Sequence, residues 1–191
     1  MKTLMNEDKF LTDYFNECAE LLITNDVKNS CIEAKKMLQI TAKQGGKVMF
    51  AGNGASASIA NHASLDFTKQ AKIKSVNFNE SAFITAFSND YGYENWVQKA
   101  VEFYGEPGDS LVLISSSGKS ENVINAAKFA NKNSINVISF TGFDSNNPLS
   151  TLGDINFWLD SRSYNIIEGI HQIWLLSICD LIIGKKEYSV S

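Results

Sequence analysis

Two short stretches rich in glycine and serine, and two histidines each within a helical turn of a carboxylate, mark where chemistry can occur in this 191-residue chain. The first stretch, Gly52-Asn53-Gly54-Ala55-Ser56, follows the apolar run 47–51 and precedes a helical pattern from Ser58 to Phe67. Glycine lets a backbone approach a ligand closely, and a helix N-terminus offers free N–H groups to an anion. A plain strand-to-helix turn would use the same residues. The second, Ser115-Ser116-Ser117-Gly118-Lys119-Ser120, closes the apolar run 110–114 and opens another helix. Four hydroxyls and several backbone amides converge there, which suits a phosphate monoester better than a bulky cofactor. A polar loop with a serine N-cap is the plainer alternative.

His62 and Asp66 lie four residues apart, and Glu168 and His171 three apart, so each pair shares a helix face. Two helices that each present a histidine and a carboxylate can surround a divalent metal, giving a candidate His62/Asp66/Glu168/His171 site. Helix-surface hydrogen bonds or subunit salt bridges would account for the same four residues.

The elements that must position these groups follow from hydrophobic period. From Phe10 to Ile40 apolar residues recur at three- and four-residue steps, predicting two helices interrupted by Asn25 and Asp26, which can cap the second. Gly45-Gly46 ends that hairpin. Continuous apolar runs at 47–51, 110–114 and 136–140 read as buried parallel strands, and 154–158 as a further one. Helices at 58–67 and 120–131 alternate with them, which predicts an α/β fold with a doubly wound parallel sheet. In such sheets ligands bind outside the carboxyl ends of the strands, where both polar stretches fall. The segment 164–183 is a helix apolar on much of its circumference, needing cover on more than one side. The expected organisation is one domain, 1–191, whose helical arm, 1–44, joins the last helix in oligomerisation.

Composition narrows the function. Apolar residues are 44% and charged residues 20%, which places the chain among ordinary globular proteins. A net charge of −4 argues against a nucleic-acid binder, which needs a cationic stripe. No signal peptide is legible and no run is read as a membrane span, so a cytoplasmic protein is expected. Cys18, Cys31 and Cys179 lie in apolar helical patterns and read as buried hydrophobes. Arg162, the only arginine, could grip a phosphate or simply form a surface pair. Trp96, Trp158 and Trp174 read as core or interface anchors.

The segments GNGAS (52–56), SNDYGYE (88–94), ISSSGKSENVINAAKFA (114–130) and NIIEGIH (165–171) resemble the sugar isomerase (SIS) family, and within it the bacterial phosphoheptose isomerases. The resemblance spans nearly the whole chain. It implies a five-stranded parallel sheet, a homotetramer with active sites shared between subunits, and a phosphorylated sugar as partner. It also implies phosphate binding by Ser56, Ser115, Ser117 and Ser120, with Asn53 and Asp90 holding sugar hydroxyls. Gly54 and Ser116 belong to the same two turns and complete the expected substrate contacts. Zinc at the His62/Asp66/Glu168/His171 cleft is a further implication.

Four positions depart from the family's pattern, one of them Glu168, which stands at the family's glutamine. Lys119 replaces its usual asparagine, Asp66 stands at its catalytic glutamate, and its second catalytic histidine falls on Leu176, eight residues after Glu168. An isomerase would then use Asp66 or Glu168 as base, with His171 as acid partner. The alternatives are an isomerase for a different sugar phosphate, a non-catalytic sugar-phosphate sensor, or a scaffold that binds a replication initiator.

Overall fold

The computed structural model describes residues 6–23 and 27–187. The arm is the expected hairpin, α1 (Glu7–Leu22) and α2 (Val27–Lys43). The Asn6 side chain caps α1 by accepting from Lys9 N at 3.1 Å. The cap expected from Asn25 and Asp26 on α2 lies outside the described residues.

Five strands follow: β1 (Val48–Gly52), β2 (Ser75–Asn77), β3 (Ser110–Ser115), β4 (Asn136–Thr141) and β5 (Ile155–Trp158). They form one all-parallel sheet in the order β2-β1-β3-β4-β5. Each residue of β1 and β3 is buried, because helices cover both faces and a parallel strand must be apolar on each side. The strand β2 went unread in the sequence: three residues, Ser-Val-Asn, carry too little apolar signal.

The helices between them are α3 (Ala55–Lys69), α4 (Ser81–Tyr91), α5 (Trp96–Tyr104), α6 (Glu121–Lys132) and α7 (Tyr164–Ile183). On one face, β-strand residues such as Phe50, Val112 and Phe140 pack with α2, α3 and α7 through Leu38, Phe67, Ile170 and Trp174. On the other, Met49, Leu111 and Leu113 pack with α5 and α6 through Trp96, Val101 and Ala127. Trp96 and Trp174 are therefore core residues, as expected.

The last helix, α7, has the length and apolarity of a membrane span, which the sequence reading did not credit it with. Its Ile166, Ile167, Ile170, Trp174, Leu175 and Ile178 are buried against the sheet and its neighbouring helices, and this packing accounts for the composition.

Candidate functional site

Strand order reverses between β1 and β3: the chain leaves β1 through α3 to β2 on one side, and β3 through α6 to β4 on the other. These adjacent strands run parallel in register, Gly52 opposite Ile114. Their carboxyl ends, and the two polar turns that follow them, therefore meet at the switch point, the usual ligand crevice of open α/β sheets. Glycine is needed in each turn. Gly54 has φ +56 at the N-cap of α3, and Gly118 has φ +63 with its missing Cβ directed at the Asn147 side chain.

A cavity of about 150 Å³ lies between the turns, lined by Asn53, Ser56, Ser115, Ser116, Ser117, Ser120, Tyr164 and Glu168 together with Ile114. Six of the eight expected substrate-binding residues are thus brought together. Gly54 belongs to the turn but does not line the cavity. Ser115 and Ser120 hydroxyls lie 3.2 Å apart, and Ser117 Oγ accepts from Lys119 N at 3.2 Å. Ser116 Oγ is buried without a partner among the described residues, an unsatisfied group facing a site rich in hydroxyls.

Asn53 is more constrained than expected. Its Nδ2 donates to Asn122 Oδ1 at 3.0 Å, and Asn122 Nδ2 donates back to Asn53 Oδ1 at 2.9 Å. The Tyr93 hydroxyl also donates to Asn53 Oδ1, at 3.2 Å. Asp90 is exposed, 2.9 Å from Asn89 Nδ2, and does not line the cavity of its own chain. Asn122, Tyr93 and Tyr164 were not singled out from sequence. The first sits in the matched serine segment and the second in SNDYGYE, so a signal existed; for Tyr164, only its place four residues before Glu168 could have pointed to it.

Glu168 lines the cavity and forms no ion pair or hydrogen bond with any described residue. His62 and Asp66 sit elsewhere on α3. Gln172 Nε2 donates to His62 Nδ1 at 3.2 Å, and His62 Nε2 lies 3.2 Å from Asp66 Oδ2, an arrangement that the Nε2–H tautomer satisfies. Gln172, one turn after Glu168, thus joins the two helices.

His171 corrects the sequence reading. It is completely buried under α7, where its Nε2–H donates to Thr141 O at 3.0 Å and its Nδ1 has no partner among the described residues. Burial pushes its pKa down to about 4, with the Thr141 carbonyl opposing that shift. It does not line the cavity, so the acid role expected of it has no geometric basis. The expected four-ligand metal set is likewise not assembled. Among the described residues no three of His, Cys, Asp and Glu come together as metal ligands, and both His62 nitrogens are engaged by protein groups. His171, buried beneath α7, stands apart from the other three.

Asp144 takes two cations: Lys119 Nζ, from the serine loop, at 3.0 Å and Arg162 at 2.6 Å. Lys119, first and chiefly, and Arg162 hold the Asp144 carboxyl below the usual carboxylate range. Arg162 therefore forms a surface pair.

The SIS domain model matches residues 13–142, and the chain belongs to that family. Its relatives include the phosphoheptose isomerase of Aliarcobacter butzleri, 34% identical over 156 residues that cover 78% of this chain and 82% of that one. The phosphoheptose isomerase of Nitratidesulfovibrio vulgaris is 33% identical over 146 residues, covering 73% and 70%. Among solved structures, a phosphoheptose isomerase from Francisella tularensis superposes with a TM-score of 0.86 at 28% identity, covering 95% of this chain and 100% of that one. The corresponding enzyme of Neisseria gonorrhoeae gives 0.81 at 28%, covering 92% and 98%.

Proposed function

We propose that this protein is a cytoplasmic sugar-phosphate isomerase that interconverts ketose and aldose forms. The leading reaction is conversion of sedoheptulose 7-phosphate to D-glycero-D-manno-heptose 7-phosphate, which would feed heptose into surface polysaccharide. The names borne by its relatives support this substrate. The observation that carries the reading is the unpaired Glu168 carboxylate on the wall of the serine-lined cavity. Serine hydroxyls and turn amides hold the phosphate. Glu168 takes the proton from the carbon beside the carbonyl and returns it to the neighbouring carbon through an enediol. Asp66, committed to His62, supports α3 and α7 instead of serving as the first base.

The cavity of about 150 Å³ is smaller than the roughly 300–1,000 Å³ of typical small-molecule sites. A homotetramer whose neighbouring subunits complete the site accounts for the difference. Exposed Phe10, Leu11 and Phe15 on α1, Ile32 and Ile40 on α2, and Ile173 and Leu181 on α7 support that assembly, since monomers seldom leave such apolar area in water. Incubation with sedoheptulose 7-phosphate in D2O, followed by NMR, tests the reading. Deuterium should enter at C1 or C2, and aldose should accumulate.

One observation favours a second reading: Leu176 is apolar and His171 is buried, so no imidazole of this chain lines the cavity. A sensor or replication-initiator-binding scaffold would be stabilised thermally by sugar phosphates without any C–H exchange, or would retain a protein partner in a pull-down.

A further inference from the structure

The cavity has a second titratable wall that the isomerase reading does not use. Tyr164 is the first residue of α7 and Glu168 stands one turn later, so the two share a helix face. Both line the cavity together with Ser115, Ser116, Ser117 and Ser120. The Tyr164 hydroxyl has no hydrogen-bond partner among the described residues.

The ring is held from behind by an unusual residue. Phe143 has φ +56, a left-handed conformation that bulky residues rarely adopt. It is pinned on both sides: its N–H donates to Ser161 O at 3.0 Å and its carbonyl accepts from Trp158 Nε1 at 3.3 Å. Its ring centroid lies 5.0 Å from that of Tyr164, tilted by 56°. Backbone strain of this kind persists where surrounding structure enforces it, and it concentrates at ligand sites. Here it sets the aromatic ring that backs the cavity wall.

From this geometry we infer that Tyr164 is the catalytic partner of Glu168, its phenol serving the sugar oxygens while the carboxylate serves the carbons. The inference rests on the isomerase reading. Starting from a ketose, Glu168 removes a proton from C1 as the Tyr164 hydroxyl gives its proton to the C2 carbonyl oxygen, leaving a neutral enediol. The Tyr164 phenolate then takes the C1 hydroxyl proton as the C1 carbonyl forms, and protonated Glu168 delivers its proton to C2. Both side chains end as they began, and no redox partner is needed. Tyrosine is an established proton donor and oxyanion stabiliser in enzyme sites. In this chain it occupies the role for which Leu176 has no group and which His171 cannot reach.

Tyr164→Phe tests this cleanly, because it keeps the ring against Phe143 and deletes only the unpartnered hydroxyl. With sedoheptulose 7-phosphate, kcat should fall by about 100-fold or more while KM moves little. Binding of a hydroxamate analogue of the enediol should weaken at least ~10-fold, in line with tight binding of transition-state analogues, and inorganic phosphate binding should be unchanged. Phe143→Leu should lower kcat more mildly by loosening the ring. An active wild type with an equally active Tyr164→Phe variant overturns the tyrosine role and leaves the isomerase reading standing. A wild type that neither exchanges C–H protons nor binds the hydroxamate more tightly than phosphate overturns both.

Discussion

Asn53 and Asn122 exchange two amide hydrogen bonds, of 3.0 and 2.9 Å, across 69 residues of sequence. One amide belongs to the glycine-rich turn after β1 and the other to the first turn of α6, after the serine loop. The pair therefore clamps the two anion-suited turns into one crevice. Asn122→Ala removes both bonds and leaves half-buried Asn53 with only the Tyr93 hydroxyl, at 3.2 Å. Such a loss costs about 1–3 kcal/mol, or roughly 2–4 °C per kcal/mol in Tm for a chain of this size. Phosphate affinity should fall with it, measurable by thermal denaturation with and without inorganic phosphate.

Glu168 and Asp66 separate by their partners. Glu168→Gln should reduce C–H exchange by about 10²–10⁴-fold while sugar-phosphate binding persists. Asp66→Asn retains an oxygen to accept from His62, so its effect on kcat should be about tenfold at most, the order of one modest hydrogen bond. Comparable losses in both variants would return Asp66 to the position of base.

His171 makes stability depend on pH. Its folded-state pKa is depressed to about 4 from an unfolded value of 6.5, so the unfolded chain binds the proton more readily. Stability from this group is complete above pH 6.5 and declines as pH falls toward 4, by a total on the order of 3 kcal/mol. In denaturant melts, His171→Leu should flatten the slope between pH 6.5 and 4, even if it lowers stability at neutral pH by freeing the Thr141 carbonyl.

Asp144 ion-pairs both Lys119, a residue of the serine loop, and Arg162. Asp144→Asn releases both cations and should tighten phosphate binding at low salt. The gain should shrink as ionic strength rises, because exposed charges are screened beyond about 10 Å at 0.1 M. Isothermal titration at two salt concentrations measures it. Unchanged affinity at low salt would mean the released cations do not reach the anion.

Most of the frame was legible in the residues themselves. Four of the five strands, the helical arm, α6 and the full extent of α7 follow from apolar runs and three- and four-residue steps, because those periods record which faces are buried. The two polar turns could be placed at strand ends for the same reason. The short strand β2 escaped because its apolar signal is weak, and the short helices α4 and α5 were passed over although Trp96, Val97, Ala100 and Val101 of α5 recur at helical steps.

The direction of individual side chains was not legible. Spacing on α7 put Glu168 and His171 on one face, yet a rotation of about 60° between residues three apart sends one to the cavity and the other beneath the helix to Thr141. Asn122 likewise looked like one more residue of a helix start until its amide met Asn53. Local sequence therefore determined the elements and the composition of the two turns. Which groups share the cavity was decided by tertiary packing, because helix rotation against the sheet depends on every contact along its length and no short motif encodes it.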